Sequence, residues 1–217
     1  MHTRSGQSRR SFMSLFSWVA GLGAVHAAGV ELSAQGAAPT GEFDLRWMDD
    51  LKGTHKMVFD MADTDPAGEP PPLRLPRNYM DTMRDVLKMQ PPQVQTVVGI
   101  SGRAFAVNAS DRLWEKYALG ERNKIIDPKT KLPATRNIYL DDPTLGVKAL
   151  QARGTIFWQC AIALNGQAQQ LANAFKLPVA DVRADLTAGL NPGVRIVPSH
   201  VMALGLVQEK GLTYVKI

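Results

Sequence analysis

Short apolar runs rich in β-branched residues alternate along the chain with stretches of helical period. Val94–Ile100 and Thr155–Trp158 read as buried strands, and His55–Asp60, Val194–Val197 and Leu212–Lys216 complete a set of five. Between them, Arg77–Met89 carries Tyr79, Met80, Met83, Val86 and Leu87 near helical spacing, with Asn78 as a candidate cap. Ser110–Tyr117, Val147–Arg153, Gly166–Phe175 and Val179–Leu186 read as further helices. Pro198 stands where a helix tolerates proline, and that helix runs over Ser199–Glu209. Strand–helix alternation of this kind predicts an α/β fold with a mostly parallel five-stranded sheet covered on both faces. Two polar segments fall outside the pattern: Ala62–Pro76, dense in Pro, Gly and Asp, and Gly120–Asp142. The second is long for a connection in a compact domain, the length at which loops are usually functional or mobile.

A chain of 217 residues, 45% of them hydrophobic, can bury one sizeable core. Its formal net charge is +5, and no basic stripe interleaved with aromatics accompanies it, which argues against nucleic acid as a partner. Cys160 is the single cysteine; it forbids an internal disulfide and any multi-cysteine metal cage.

The first 36 residues form a segment apart. Ser8-Arg9-Arg10-Ser11-Phe12-Met13, followed by a weakly apolar run from Leu15 to Ala28, resembles the twin-arginine export signal of bacteria. The run is too short and too rich in Gly and Ala to read as a membrane span. Small residues at Val25-His26-Ala27 and Ala34-Gln35-Gly36 offer two cleavage sites. The resemblance implies folding in the cytoplasm and work in the periplasm by residues 37–217, as one α/β domain with no membrane contact beyond the signal. Loss of residues 1–36 removes Arg4, Arg9, Arg10 and Glu31, lowering the net charge to +3.

Candidate chemistry gathers at the carboxyl ends of the strands, where open α/β sheets bind ligands. Cys160 follows the Thr155–Trp158 strand and precedes a helix, with Asn165-Gly166 marking the turn between them. Helix N-terminal N–H groups stabilise a thiolate, so Cys160 reads as a candidate nucleophile. It reads equally as a small core hydrophobe. His200 begins a helix on the same sheet edge; it is either an acid or base that pairs with the thiol, or a surface residue capping the helix with Ser199. Ser101-Gly102-Arg103 offers a hydroxyl, a close backbone approach and a cation to an anionic ligand. Asp60 and Asp63 also lie at this edge and read as solvated acids, while His55 opens its strand at the opposite edge. Two ligands without a third are thin for zinc or copper, so no metal is expected. The chain has neither a phosphate-cradling glycine pattern nor Cys-x-x-Cys-His, and no cofactor is expected.

From Gly154 onward the sequence resembles the DsrE/DsrF-like family of sulfur-handling proteins. The resemblance is carried by Gly154-Thr155-Ile156-Phe157-Trp158-Gln159-Cys160 and by Leu190-Asn191-Pro192-Gly193-Val194-Arg195-Ile196-Val197-Pro198-Ser199. Val201, Leu204, Gln208, Gly211 and Tyr214-Val215-Lys216 complete it, and Leu113–Gly120 is similar to an exported subgroup. His200 stands where the family usually has glycine, and Leu212-Thr213 replaces the usual Tyr-Ala. The resemblance implies a three-layer α/β/α sandwich, often oligomeric, and a persulfide carried on Cys160. Small sulfur species or a sulfur-donor protein are the implied partners. His200 would be a second catalytic residue, with Ser101, Arg103, Asn165 and Ser199 as substrate-binding neighbours. The other reading keeps the fold as a binding or assembly subunit without thiol chemistry.

Overall fold

Five parallel strands, in the order β4-β3-β2-β1-β5, form the middle layer: β1 His55–Met61, β2 Val94–Ile100, β3 Ile156–Cys160, β4 Arg195–Val197 and β5 Thr213–Lys216. The structure, a computed structural model, describes residues 43–64 and 71–217; the expected export signal, residues 1–36, lies outside the described residues. Ala38–Ile217 forms one compact unit.

The helices are α1 Pro71–Leu87, α2 Phe105–Asn108, α3 Asp111–Tyr117, α4 Leu119–Arg122, α5 Val147–Ala152, α6 Ala161–Phe175, α7 Val179–Ala188 and α8 His200–Glu209. Strand order fixes their layers. From β1 to β4 the chain steps one way across the sheet, and right-handed crossovers put α1 to α7 on one face. The step from β4 to β5 reverses direction, so α8 crosses the other face. Two cores follow. The larger joins Phe59, Val98 and Phe157 to Met80, Leu113, Leu164 and Leu186. The smaller joins Val58, Val97, Trp158 and Val197 to Ala203 and Val207 of α8, and to Trp47 and Met48. Alternation along β1 sends Val58 to one core and Phe59 to the other, as period-2 strand geometry requires. The expected three-layer α/β/α sandwich is present, and its sheet is wholly parallel.

Several boundaries differ from expectation. Ala37–Trp47 reads as a loose lead-in, yet Arg46–Asp50 is a 3-10 turn whose Trp47 and Met48 plug the smaller core. α1 begins at Pro71, inside a segment expected to be loop, because proline costs little in a first helical turn. α6 begins at Ala161 and runs straight through Asn165-Gly166. Ala161, Leu164, Ala168, Leu171 and Ala172 keep helical period across that pair and outweigh its turn preference.

The Gly120–Asp142 segment is pinned into the core, and Ile125, Ala134, Tyr139 and Leu140 are buried there. The buried Asn137 side chain donates to the carbonyls of Val107 and Ala109 and accepts from the Tyr139 amide. Gly120 fits where a Cβ would stand 1.9 Å from the Ala134 carbonyl oxygen, a close approach only glycine permits.

Candidate functional site

Cys160 ends β3, and Ser199-His200 follows β4, the neighbouring strand. The chain leaves β3 toward one face through α6 and leaves β4 toward the other through α8. Adjacent strands whose connections part in this way open a crevice at their carboxyl ends, the usual place for a ligand in such sheets. The shared carboxyl edge of these two strands places the amino ends of two helices around one atom. Cys160 is the N-cap residue of α6, and its Sγ accepts the Ala163 amide at 3.4 Å. The same sulfur accepts the amide of His200, first residue of α8, at 3.3 Å. First-turn amides lack intrahelical partners, and here two of them, one from each helix, are satisfied by Sγ. The residue is only 4% exposed.

The His200 side chain does not join the sulfur. Its Nδ1 accepts a hydrogen bond from the indole Nε1 of Trp158 at 3.1 Å, and its Nε2 faces Asp60 Oδ1 at 2.7 Å. Tyr214 donates its hydroxyl to Asp60 Oδ2 at 2.7 Å. This bond to Asp60 raises the Tyr214 hydroxyl above its ordinary pKa. A line of hydrogen bonds thus crosses the sheet face from β3 through His200 to β1 and β5. It passes over β2 at Gly99, the residue in register with Trp158, where no side chain intervenes. Behind the strand, Asn108 holds the Trp158 carbonyl and the Gln159 side chain from α2.

These positions correct several expectations. His200 is 8% exposed, so it is no surface cap; both ring nitrogens are taken, and its main-chain amide, not its imidazole, reaches Cys160. Ser199 occupies the N-cap position of α8, but its side chain makes no capping bond. Arg103 is exposed and its guanidinium forks onto Asp63, whose carboxyl that bond holds below its ordinary pKa. The close backbone approach at Gly102 (φ +51°) is to the Ala62 carbonyl, 2.5 Å from a built Cβ, and so joins β2 to the end of β1. Ser101 follows β2 there, its amide bonded to the Met61 carbonyl. Arg103 lines a cavity of about 300 Å³ with Arg122, Asn123, Gln167 and Gln170, which Cys160 does not border. Asn165 lies in the second turn of α6, partly buried, with a carbonyl oxygen that is buried and unpaired. His55 opens β1 at the far edge, as its place in the sequence predicts.

Sequence reasoning gave no site role to Trp158 or Tyr214, and it placed Asp60 at this edge but read it as a solvated acid, whereas both carboxylate oxygens are bonded. Asp60 was legible in part. It shares strand parity with the buried Val58, so it faces the α8 layer rather than solvent. Among the described residues no group of three or more His, Cys, Asp or Glu side chains could hold a metal. No described helix is long and apolar enough to cross a membrane.

No family model matches the chain, and no curated protein matches it. One solved structure that the chain is similar to is a protein of unknown function, MTH1491, from Methanobacterium thermoautotrophicum. The identity is 17%, over 75% of this chain and 99% of that one, with a TM-score of 0.41.

Proposed function

We propose that this is an exported sulfur-handling protein of the DsrE/DsrF-like kind, in which Cys160 takes up and passes on sulfane sulfur as a persulfide. The observation that carries this reading is the convergence of two helix-start amides on one thiol at the carboxyl edge of the sheet. A carrier must first present its cysteine as a thiolate to attack the donor, and oriented N–H groups at fixed distance stabilise that anion without reorganising. Loading is a displacement. The Cys160 thiolate attacks a terminal sulfur of an inorganic polysulfide dianion; the new S–S bond forms as the adjacent one breaks, and the polysulfide leaves one sulfur shorter. Charge balances, and no separate oxidant is needed. Delivery repeats the displacement with an acceptor thiolate.

Ile162 and Val201, at 60% and 77% exposure, flank the two donating amides and form an apolar rim on which a sulfur-donor protein or a second subunit could sit. Export follows from Arg9-Arg10, and substitution of both by lysine should retain the protein in the cytoplasm.

Cyanide tests the carrier directly. Cyanide attacks the outer sulfur of a persulfide, releasing thiocyanate and restoring the thiolate. Protein treated with polysulfide and desalted should release about one thiocyanate per chain, and Cys160→Ser should release none. A second reading, a binding or assembly subunit without thiol chemistry, draws on the low exposure of Cys160 and the fully occupied His200 ring. Equal, near-zero release from both proteins would favour it.

A further inference from the structure

The His200 ring has one permitted neutral tautomer. An indole N–H only donates, so Nδ1, which faces it, is the bare acceptor nitrogen. The ring proton is then on Nε2, directed at Asp60 Oδ1. With both nitrogens committed, the ring cannot serve as a base for the thiol, although its own residue supplies an amide to Sγ. The first turn of a helix is where the backbone frays, and here the N-cap Ser199 gives no side-chain support. The imidazole, anchored to β3 on one side and β1 on the other, therefore holds this helix start in place.

We infer that Asp60 is a positioning residue for Cys160: by accepting from His200 Nε2 it locks the first turn of α8 so that the His200 amide stays on Sγ. Tyr214 in turn holds the carboxylate through its second oxygen. The consequence for sulfur chemistry rests on the carrier reading above; the lock itself does not.

The lock predicts a difference between two substitutions. Asparagine at position 60 can accept from Nε2 with its carbonyl and donate to Tyr214 with its amide, so Asp60→Asn keeps the lock without the charge. Asp60→Ala loses it. The readout is Cys160 alkylation by a small neutral reagent, as the ratio of the rate at pH 7 to the alkaline plateau rate. The plateau reports access; the ratio reports how well the anion is stabilised. Asp60→Ala should lower the ratio several-fold, and Asp60→Asn should stay within about twofold of wild type. A merely structural role would raise the plateau and leave the ratio alone.

Should Asp60→Ala fail to fold, Tyr214→Phe removes only the outer anchor and should lower the ratio in the same direction, by less. Long-range proton–nitrogen spectra of the His200 ring should show the proton on Nε2. Exchange of the His200 amide should be slow in wild type and Asp60→Asn, and faster in Asp60→Ala or Tyr214→Phe. An unchanged ratio in Asp60→Ala, an Asp60→Asn as impaired as alanine, or a proton on Nδ1 would each overturn the inference. A lowered ratio beside absent thiocyanate release would remove the carrier reading and leave the lock standing. If wild-type Cys160 resists alkylation altogether, the carrier reading falls, and amide exchange alone decides the lock.

Discussion

The indole of Trp158 lies against Gly99, and a Cβ built on that glycine would stand 2.4 Å from Trp158 Cζ2. The absence of a side chain on β2 is what lets a tryptophan on β3 reach His200 over the sheet. Gly99→Ala should therefore push the indole away and break its bond to Nδ1. The expected loss is about 1–3 kcal/mol, the usual range for overpacking a filled core. Denaturant unfolding checks it; a wild-type midpoint would show that the indole has room to move.

Trp158→Phe separates the indole's bulk from its donor. The ring contacts to Trp47 and His200, at 6.1 and 5.8 Å between centroids, should largely survive, but Nδ1 would be left buried without a partner. Such a group costs about 1–3 kcal/mol. Equilibrium unfolding beside wild type measures it.

Asn137 predicts the largest effect in the long connection after α4. Asn137→Ala strands the Ala109 carbonyl, leaves the Val107 carbonyl to Asn191 alone and frees the Tyr139 amide, at a cost of roughly 2–4 kcal/mol in stability. Protease nicking between residues 120 and 142 should rise with it. A variant as stable and resistant as wild type would mean the segment is held by its apolar side chains alone.

Asp185 ties α7 to α3 by accepting from Arg112, Lys116 and Tyr117. Burial is the largest single influence and works to raise its pKa, yet the bonds from Lys116, Tyr117 and Arg112 together outweigh it and hold the carboxyl at about 2. A carboxyl depressed in the folded state stabilises fully above its unfolded pKa of about 4 and loses that contribution as pH falls through its folded value. Stability should thus decline between about pH 4 and pH 2. Asp185→Asn should flatten that part of the profile and cost roughly 1 kcal/mol at neutral pH, since the cationic partners are half exposed. Acid titration of both proteins by circular dichroism makes the comparison.

The layers of this fold were readable because hydrophobic period carries them: each of the five strands lies within a residue or two of its apolar run. Helix starts were harder. Asn165-Gly166 is a local turn signal that a continuous buried face overrode, and Pro71 marks a start only once the chain beyond it is seen to pack. Cys160 and His200 were legible as neighbours, since both follow strands and so share an edge. What each contributes was not. Which nitrogen of His200 faces what depends on strand order, and strand order brings Asp60 and Tyr214 beneath a residue 140 positions from the former. No local pattern encodes that meeting.

Intact-mass measurement of the native protein after exposure to polysulfide, beside Cys160→Ser, tests the central claim most directly. The wild type should gain mass in whole-sulfur steps that a thiol reductant reverses, and the serine variant should gain none. A wild type of unchanged mass, or equal gains in both proteins, would contradict a sulfur carrier centred on Cys160.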